Sequence, residues 1–162
     1  YALPILVVQH LHPNDDGGFA ESIQRATSLR VVTPRDKQEI EPGTVYVAPA
    51  NYHMLCERNG QVALSVDEKI RWSRPSIDVL FESAARAWGK RTIGVLLSGA
   101  NSDGAEGMSL IRAAGGLTLA QEPRTAECAT MPQAAMDIGA VDEILTLPHI
   151  AQRLVERGSR NG

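Results

Sequence analysis

Two polar side chains follow apolar runs at points where chemistry could be built. His10 ends the run PILVVQH, and Asp103 comes just after TIGVLLSG. Ligands of open α/β sheets gather beyond the carboxyl ends of the strands, so two parallel strands would bring these side chains to one edge. A carboxylate beside an imidazole fixes the tautomer of the ring and stabilises the imidazolium. Two interpretations stay open: a catalytic His–Asp pair, and an Asp103 that caps the helix following it.

The glycines around Asp103, in the stretch LLSGANSDGAEG, also have a chemical reading. Gly99 and Gly104 allow a tight turn between strand and helix. Such a turn aims free N–H groups at a helix N-terminus, which favours an anion or an oxyanion. A phosphate-binding loop is the rival interpretation, but neither GxGxxG nor GxxxxGK[ST] is present, and an aspartate inside the loop would repel phosphate.

Neither a metal site nor a nucleophile is evident from the residues alone. His10 and His12 form H-x-H, but no H-x-x-x-H or C-x-x-C supports it, so no metal or other cofactor is predicted. The chain has no G-x-S-x-G elbow. Ser98 and Ser102 read as hydroxyls that satisfy local backbone, and Cys128 as packing or, alternatively, a nucleophile.

The elements that must position this pair follow from hydrophobic patterning. Unbroken apolar runs such as Leu3–His10 and TIGVLLS predict strands buried on both faces, as in a parallel sheet. Asn59-Gly60 predicts a β-hairpin with a type I′ turn. Ser76 predicts a helix N-cap, and Gly89 ends that helix. The fold class is α/β: a doubly wound, mainly parallel sheet with helices on both faces and one β-hairpin.

Composition narrows the classes of function. The 162 residues suit one domain, and 43% hydrophobic with 22% charged residues is ordinary for a globular protein. A net charge of −3 and only 4% aromatic residues disfavour nucleic acid. No apolar run reaches the roughly 18 residues of a membrane helix, and no signal peptide is visible. Two cysteines suggest no disulfide framework, so a reducing cytoplasm is expected.

Taken together, five stretches resemble the chemotaxis receptor methylesterase (CheB) family in the family's order. The stretch around Asp103 is similar to the family's LTGMGxDGAxGM segment, and the others span nearly the whole chain. The stretches are VVQHLHP, EPGTVYVAPANYHM, RPSIDVLFESAA, GVLLSGANSDGAEGM and LTLAQEPRTAECATMPQAAMDIGAVDEILTL.

The resemblance implies hydrolysis of methyl esters on glutamate side chains of chemoreceptor helices by a Ser–His–Asp triad, with glutamine deamidation in some members. His10 would be the general base and Asp103 its orienting carboxylate. The N–H of Ala100 would hold the oxyanion, with Gly99 shaping that turn. An open, shallow cleft is expected, bordered by Arg74, Pro75, Ser76 and Met131, although the start of a helix and loop packing are the favoured explanation for these four.

Three departures accompany the resemblance. The family's serine lies in a GASxGG loop upstream of VVQH, so residues 1–157 are expected to form one domain whose first strand and nucleophile loop lie outside the sequence. Ala100 stands where the family has methionine, and Thr130 replaces the glycine of GMP. A receiver domain upstream is an open possibility, and residues 158–162 read as a flexible tail. The alternative is a non-catalytic binding or signalling module of the same fold; nucleotide binding is disfavoured by the absent phosphate motifs.

Overall fold

The computed structural model describes residues 1–159 and contains eight strands and five α-helices in that range. Strands and helices alternate through most of the chain, as the patterning predicts. In chain order the elements are β1 (Ile5–Val7), α1 (Gly18–Ala26), β2 (Arg30–Val32), β3 (Thr44–Val47), β4 (His53–Cys56), β5 (Val62–Ser65), α2 (Ile77–Trp88), β6 (Ile93–Leu96), α3 (Ala105–Ala113), β7 (Leu117–Gln121), α4 (Thr130–Asp137), β8 (Glu143–Leu145) and α5 (Leu147–Ser159). The expected tail is helical at Gly158 and Ser159, and 160–162 lie outside the described residues.

The strands form two parallel sheets and one hairpin. The first sheet has the order β1-β3-β2, the second has the order β6-β7-β8, and β4 pairs with β5 antiparallel. The predicted α/β class, parallel pairing and hairpin are confirmed. The division into two three-stranded sheets was not predicted, because hydrophobic runs identify strands but not their neighbours.

Two details of the strand predictions are wrong. β1 is only half-buried along Ile5–Val7, because within the described residues it pairs on one side alone, with β3. The hairpin has a three-residue loop, since Glu57 N–H donates to Gln61 O and Gly60 N–H to Glu57 O. Among the three loop residues, 58–60, only Gly60 has a positive φ (+84°). The loop is therefore a type I turn followed by a left-handed glycine, not a type I′ turn.

Each sheet has its own hydrophobic cluster. Tyr46, Met54 and Leu80 belong to the first cluster, and Leu96 and Met108 to the second. Val8 and Phe81 pack against both clusters, so α2 and the end of β1 lie along the boundary between the two sheets.

The helices α2 and α3 approach each other closely at Gly107. A Cβ built there would lie 2.5 Å from Phe81 Cβ and 3.2 Å from Asp78 Cα, so only glycine permits this packing. Because α3 follows the Asp103 loop, the contact sets the distance between that loop and the start of α2. No helix in residues 1–159 is long and apolar enough to cross a membrane.

Candidate active site

His10 and Asp103 meet at the carboxyl ends of strands from different sheets. His10 follows β1 and Asp103 follows β6, and His10 Nε2 lies 2.7 Å from Asp103 Oδ2. The carboxylate is fully buried, whereas 24% of the imidazole side chain is exposed. The pairing predicted from the two strand ends is therefore confirmed, and the ring is the accessible member of the pair.

The Asp103 carboxylate accepts three further hydrogen bonds, all from the start of α2. Oδ1 accepts from Ser76 Oγ at 2.9 Å and from Asp78 N–H at 3.0 Å, and Oδ2 accepts from Ile77 N–H at 2.7 Å. Asp103 thus caps α2 and orients His10 at the same time. The capping interpretation named the wrong helix: the N-cap of α3 is Gly104. Its position in the sequence favoured α3, the next helix, but the carboxylate accepts its hydrogen bonds from the start of α2.

These contacts decide the charge of the carboxyl group. Burial raises the pKa of Asp103, but the hydrogen bonds from His10, from the N–H groups of Asp78 and Ile77, and from Ser76 outweigh it and lower the pKa below its usual range. The helix N-terminus of α2 acts in the same direction. Asp103 is therefore an anion at neutral pH, as an orienting partner for imidazole must be.

Asp78, in the first turn of α2, is a second buried carboxyl group beside Asp103. Burial raises its pKa to about 6, against the hydrogen bond from Gly107 N–H, and the charge of Asp103 raises it further. Two carboxylates at one site ionise unequally because each disfavours the other's charge. Asp103 stays ionised to lower pH, and Asp78 is the member that takes up a proton first on acidification.

Asn101 contacts the other side of the imidazole. Its Nδ2 lies 3.3 Å from His10 Nδ1, and its Oδ1 accepts a hydrogen bond from Asp103 N–H at 3.0 Å. With Nε2–H directed at Asp103, Nδ1 is the nitrogen that can accept a proton. Sequence analysis missed Asn101, although an asparagine two residues before an aspartate is a common turn signal.

The loop before Asp103 contains three backbone N–H groups without a hydrogen-bond partner among the described residues, those of Ala100, Asn101 and Ser102. Gly99 N–H donates to Cys128 O at 3.0 Å, so it is not available to an oxyanion. The N–H of Ala100 has no hydrogen-bond partner within residues 1–159, and Ala100 is exposed. A Cβ at Gly99 would lie 2.5 Å from Met131 Cε, so this glycine keeps the loop close to α4. Gly99 thus shapes the turn, and the assignment of the oxyanion donor to Ala100 stays a prediction.

The four residues expected along the cleft divide into two pairs. Arg74 and Pro75 line a cavity of about 100 Å³ together with His10. Ser76 is fully buried and hydrogen-bonded to Asp103, so it supports the carboxylate instead of bordering the cleft. Met131 is 5% exposed, belongs to the second hydrophobic cluster and lies against Gly99, and its place along the cleft stays a prediction.

The hydroxyl and thiol groups considered as nucleophiles are bonded elsewhere. Ser98 Oγ donates to Cys128 O, and Ser102 Oγ accepts from Arg71. Cys128 Sγ lies 3.6 Å from Thr130 Oγ1. None of these groups is hydrogen-bonded to His10 within the described part of the chain.

His53 is a further supporting residue that sequence analysis did not single out. Its Nδ1 accepts from Ser76 N–H at 3.2 Å, which leaves Nε2–H to donate to Glu68 O at 2.9 Å. The buried ring thereby connects Glu68, in the loop before α2, to Ser76, whose hydroxyl donates to Asp103. In sequence, a histidine at the start of a strand carries no signal for this role. Residues 1–159 contain no cluster of three or more side chains suited to a metal ion.

The chain is an α/β domain in which a buried carboxylate contacts a partly exposed imidazole, the arrangement that orients a general base in hydrolases. The sequence profile of the CheB methylesterase family matches residues 1–154. The chain is 41% identical to a Leptospira interrogans protein provisionally named protein-glutamate methylesterase/protein-glutamine glutaminase, over 99% of this chain and 83% of that protein. It is 39% identical to protein-glutamate methylesterase/protein-glutamine glutaminase 2 of Pseudomonas aeruginosa, over 98% of this chain and 46% of that protein.

A solved structure gives the same answer. The crystal structure of the Thermotoga maritima CheB methylesterase catalytic domain superimposes with a TM-score of 0.91 at 31% identity, over 96% of this chain and 84% of that one. The chain therefore belongs to the CheB methylesterase family.

Proposed function

We propose that this protein is a protein-glutamate methylesterase that removes methyl groups from chemoreceptor glutamates, and that it also deamidates receptor glutamines. The observation that carries the proposal is the imidazole of His10 held at 2.7 Å by a carboxylate with three other donors. The names of the relatives supply the substrate class.

The chemistry follows from the two ring nitrogens of His10. As a serine hydroxyl attacks the ester carbonyl, Nδ1 takes the hydroxyl proton while Asp103 stabilises the imidazolium through Nε2–H. The Ala100 N–H stabilises the oxyanion of the tetrahedral intermediate. His10 returns the proton to the leaving methoxide, which departs as methanol. Water then attacks the acyl-serine with His10 again as base, releasing glutamate and free serine.

The nucleophilic serine is proposed to come from a segment outside residues 1–159. Three observations support this. The hydroxyls of Ser76, Ser98 and Ser102 are bonded to groups other than His10, and Ser73, which lines the same cavity as His10, is not hydrogen-bonded to it. Among the described strands, β1 and β6 each have one unpaired edge, so a further strand between the two sheets could join them. The chain also covers only 84% of the Thermotoga domain.

The partners follow from the same proposal. The substrate is a methylated helix of a chemoreceptor, the location is cytoplasmic, and no cofactor takes part in the reaction. A receiver domain upstream of the esterase domain, which we assign to residues 1–157, would regulate access to the cleft.

Methanol release from methylated chemoreceptor tests the proposal. The protein including its upstream segment is compared with its His10→Ala variant, and ammonia release from glutamine-bearing receptor is followed in parallel. We expect both products from the parent protein and neither from the variant. Receptor binding without release of either product would instead favour a binding module. Release by residues 1–162 alone would disprove the external serine.

A further inference from the structure

A tight turn beside His10 holds the most exposed large apolar side chain among residues 1–159. Ile70 and Ser73 exchange two backbone hydrogen bonds, of 3.0 and 2.8 Å, and the two residues between them are Arg71 and Trp72. Trp72 is 94% exposed. We call residues 70–73 the Trp72 turn.

The backbone of the Trp72 turn is strained. The φ angles are +48° at Arg71 and +67° at Trp72, the left-handed region at both central positions of a two-residue turn. Asparagine and glycine are the usual residues there, because a bulky side chain raises the energy of this conformation. Strained backbone of this kind persists only where neighbouring contacts hold it, and it is found most often at functional sites.

Two arginines supply those contacts. Arg71 donates to Ser102 Oγ at 2.8 Å and to Glu106 Oε1 at 3.0 Å, which joins the turn to the Asp103 loop and to α3. Arg74 donates to the carbonyls of Val66 and Asp67 and to Asn51 Oδ1. The turn is therefore positioned by the element that carries the catalytic carboxylate, and Trp72 is presented from a fixed backbone.

The indole also shares a cavity with the base. His10, Trp72, Lys69 and Arg74 line the same hollow of about 100 Å³. Neither Lys69 nor Arg74 forms an ion pair with a carboxylate in the described range. The surface beside His10 thus combines an exposed indole with two cations whose charge is not neutralised.

We propose that Trp72 is a specificity residue that packs against the receptor helix next to the ester, while Lys69 and Arg74 face its acidic side chains. The inference rests on the proposed function, because a segment that carries esterified and free glutamates supplies both carboxylates and the aliphatic surface of a helix. Burying an aromatic side chain at the centre of an interface is a frequent source of affinity. A small ester has no helix surface to bury against the exposed indole, so it should depend much less on Trp72.

The test compares a large and a small substrate. Trp72→Ala, Trp72→Phe and the control Val155→Ala, an exposed apolar residue on α5, are assayed on methylated receptor and on the γ-methyl ester of N-acetylglutamate. We expect Trp72→Ala to raise KM for the receptor about tenfold with kcat nearly unchanged. Trp72→Phe should show a smaller rise in KM. The parent protein and its three variants should hydrolyse the small ester equally. An unchanged receptor KM, or an equal loss on both substrates, would overturn the inference.

Fluorescence separates this inference from the proposed function, because it needs no turnover. Receptor binding should shift the fluorescence emission of Trp72 to shorter wavelength and reduce its quenching by acrylamide. Trp72→Phe should remove this change, whereas Trp88→Phe, at a partly buried tryptophan packed against the first cluster, should retain it. Hydrolysis without a Trp72 signal would refute the inference alone. A Trp72 signal without hydrolysis would refute the esterase assignment alone.

Discussion

His10 and Asp103 lie 93 positions apart in sequence, and their side chains meet at 2.7 Å across the boundary between two sheets. The carboxylate also accepts hydrogen bonds from two backbone N–H groups at the start of α2. One buried group thus caps a helix and orients an imidazole, and variants at the site are expected to separate its contribution to stability from its proposed contribution to catalysis.

Replacing His10 by alanine should remove catalysis and leave the fold intact. The imidazole is partly exposed and bonds to Asp103 and Asn101, so its loss disturbs little packing. We expect methanol release to fall by about a thousandfold or more, with an unchanged circular dichroism spectrum. The exposed His149 on α5 provides the matched control, and His149→Ala should keep full activity. Near-normal turnover by His10→Ala would remove this histidine from the mechanism.

Asp103→Asn should reduce both rate and stability. The amide can hold the wrong imidazole tautomer, which lowers kcat by about ten-thousandfold in a comparable triad. It also weakens the cap on α2, at a cost of about 1–3 kcal/mol in the free energy of unfolding. Methanol assays and urea unfolding measure the two effects. Ser76→Ala, which removes one of the four hydrogen bonds, should show a smaller change in both. A loss of stability without a loss of rate would leave Asp103 with capping alone.

Asp78 should make stability depend on pH in the direction opposite to most carboxyl groups. Its pKa is about 6 in the folded protein and 3.8 as the ordinary value, so the folded state binds the proton more tightly. This contribution is fully present below the ordinary value and is lost as the pH rises through about 6. Asp78→Asn, which keeps an oxygen to accept from Gly107 N–H, should be more stable than the parent at neutral pH.

Asp142 supplies the control for that measurement. Burial raises its pKa, but Arg112 and Thr118 outweigh burial and lower it, so its contribution is present at neutral pH and is lost on acidification. Asp142→Asn should therefore destabilise the protein at neutral pH. Urea unfolding across this pH range measures both variants, and a parallel fall in both would contradict the assignment to Asp78.

The two cysteines should differ sharply in reactivity. Hydrogen bonds from the side chain and backbone of Thr130 lower the pKa of Cys128, whereas burial raises that of Cys56 to about 12. Iodoacetamide should label one thiol in the native protein and two after denaturation, and Cys128→Ser should abolish native labelling. The same variant should retain methanol release; a complete loss would reopen Cys128 as the nucleophile.

Gly107→Ala should be costly although alanine favours helices. The added Cβ would lie 2.5 Å from Phe81 Cβ and 3.2 Å from Asp78 Cα, and α2 must move to relieve it. We expect a loss of about 1–3 kcal/mol in the free energy of unfolding, and slower turnover because the start of α2, which donates to Asp103, shifts. At Gly18 the nearest atom is 3.7 Å away, so Gly18→Ala should be nearly neutral. Equal stability of the two variants would contradict this account.

Sequence patterning located the strands and the two strand ends that carry His10 and Asp103, because apolar runs and polar breaks are local signals. It placed Ser76 at the correct N-cap position but assigned the cap to its own side chain, whereas the cap comes from Asp103. It gave no indication that Met131 joins the second hydrophobic cluster, since a methionine in a loop-like stretch carries no signal for its packing partners.

The turns at Asn59-Gly60 and Arg71-Trp72 show most clearly where prediction from local sequence fails. Asn59-Gly60 carries the strongest type I′ signal, yet the register of the hairpin leaves three residues in its loop. A two-residue turn with both central φ angles positive occurs instead at Arg71-Trp72, where local preference opposes it. Long-range contacts from the two arginines decide that turn, and no local pattern contains them.

The boundary between the two sheets has a consequence for how the protein fails under stress. Each sheet keeps its own cluster, while the His10–Asp103 contact needs both in register. If the two sheets move apart by about one ångström, that hydrogen bond breaks while each sheet stays folded around its own cluster. Activity is then expected to disappear at lower denaturant concentration than helical circular dichroism, so inactivation precedes unfolding.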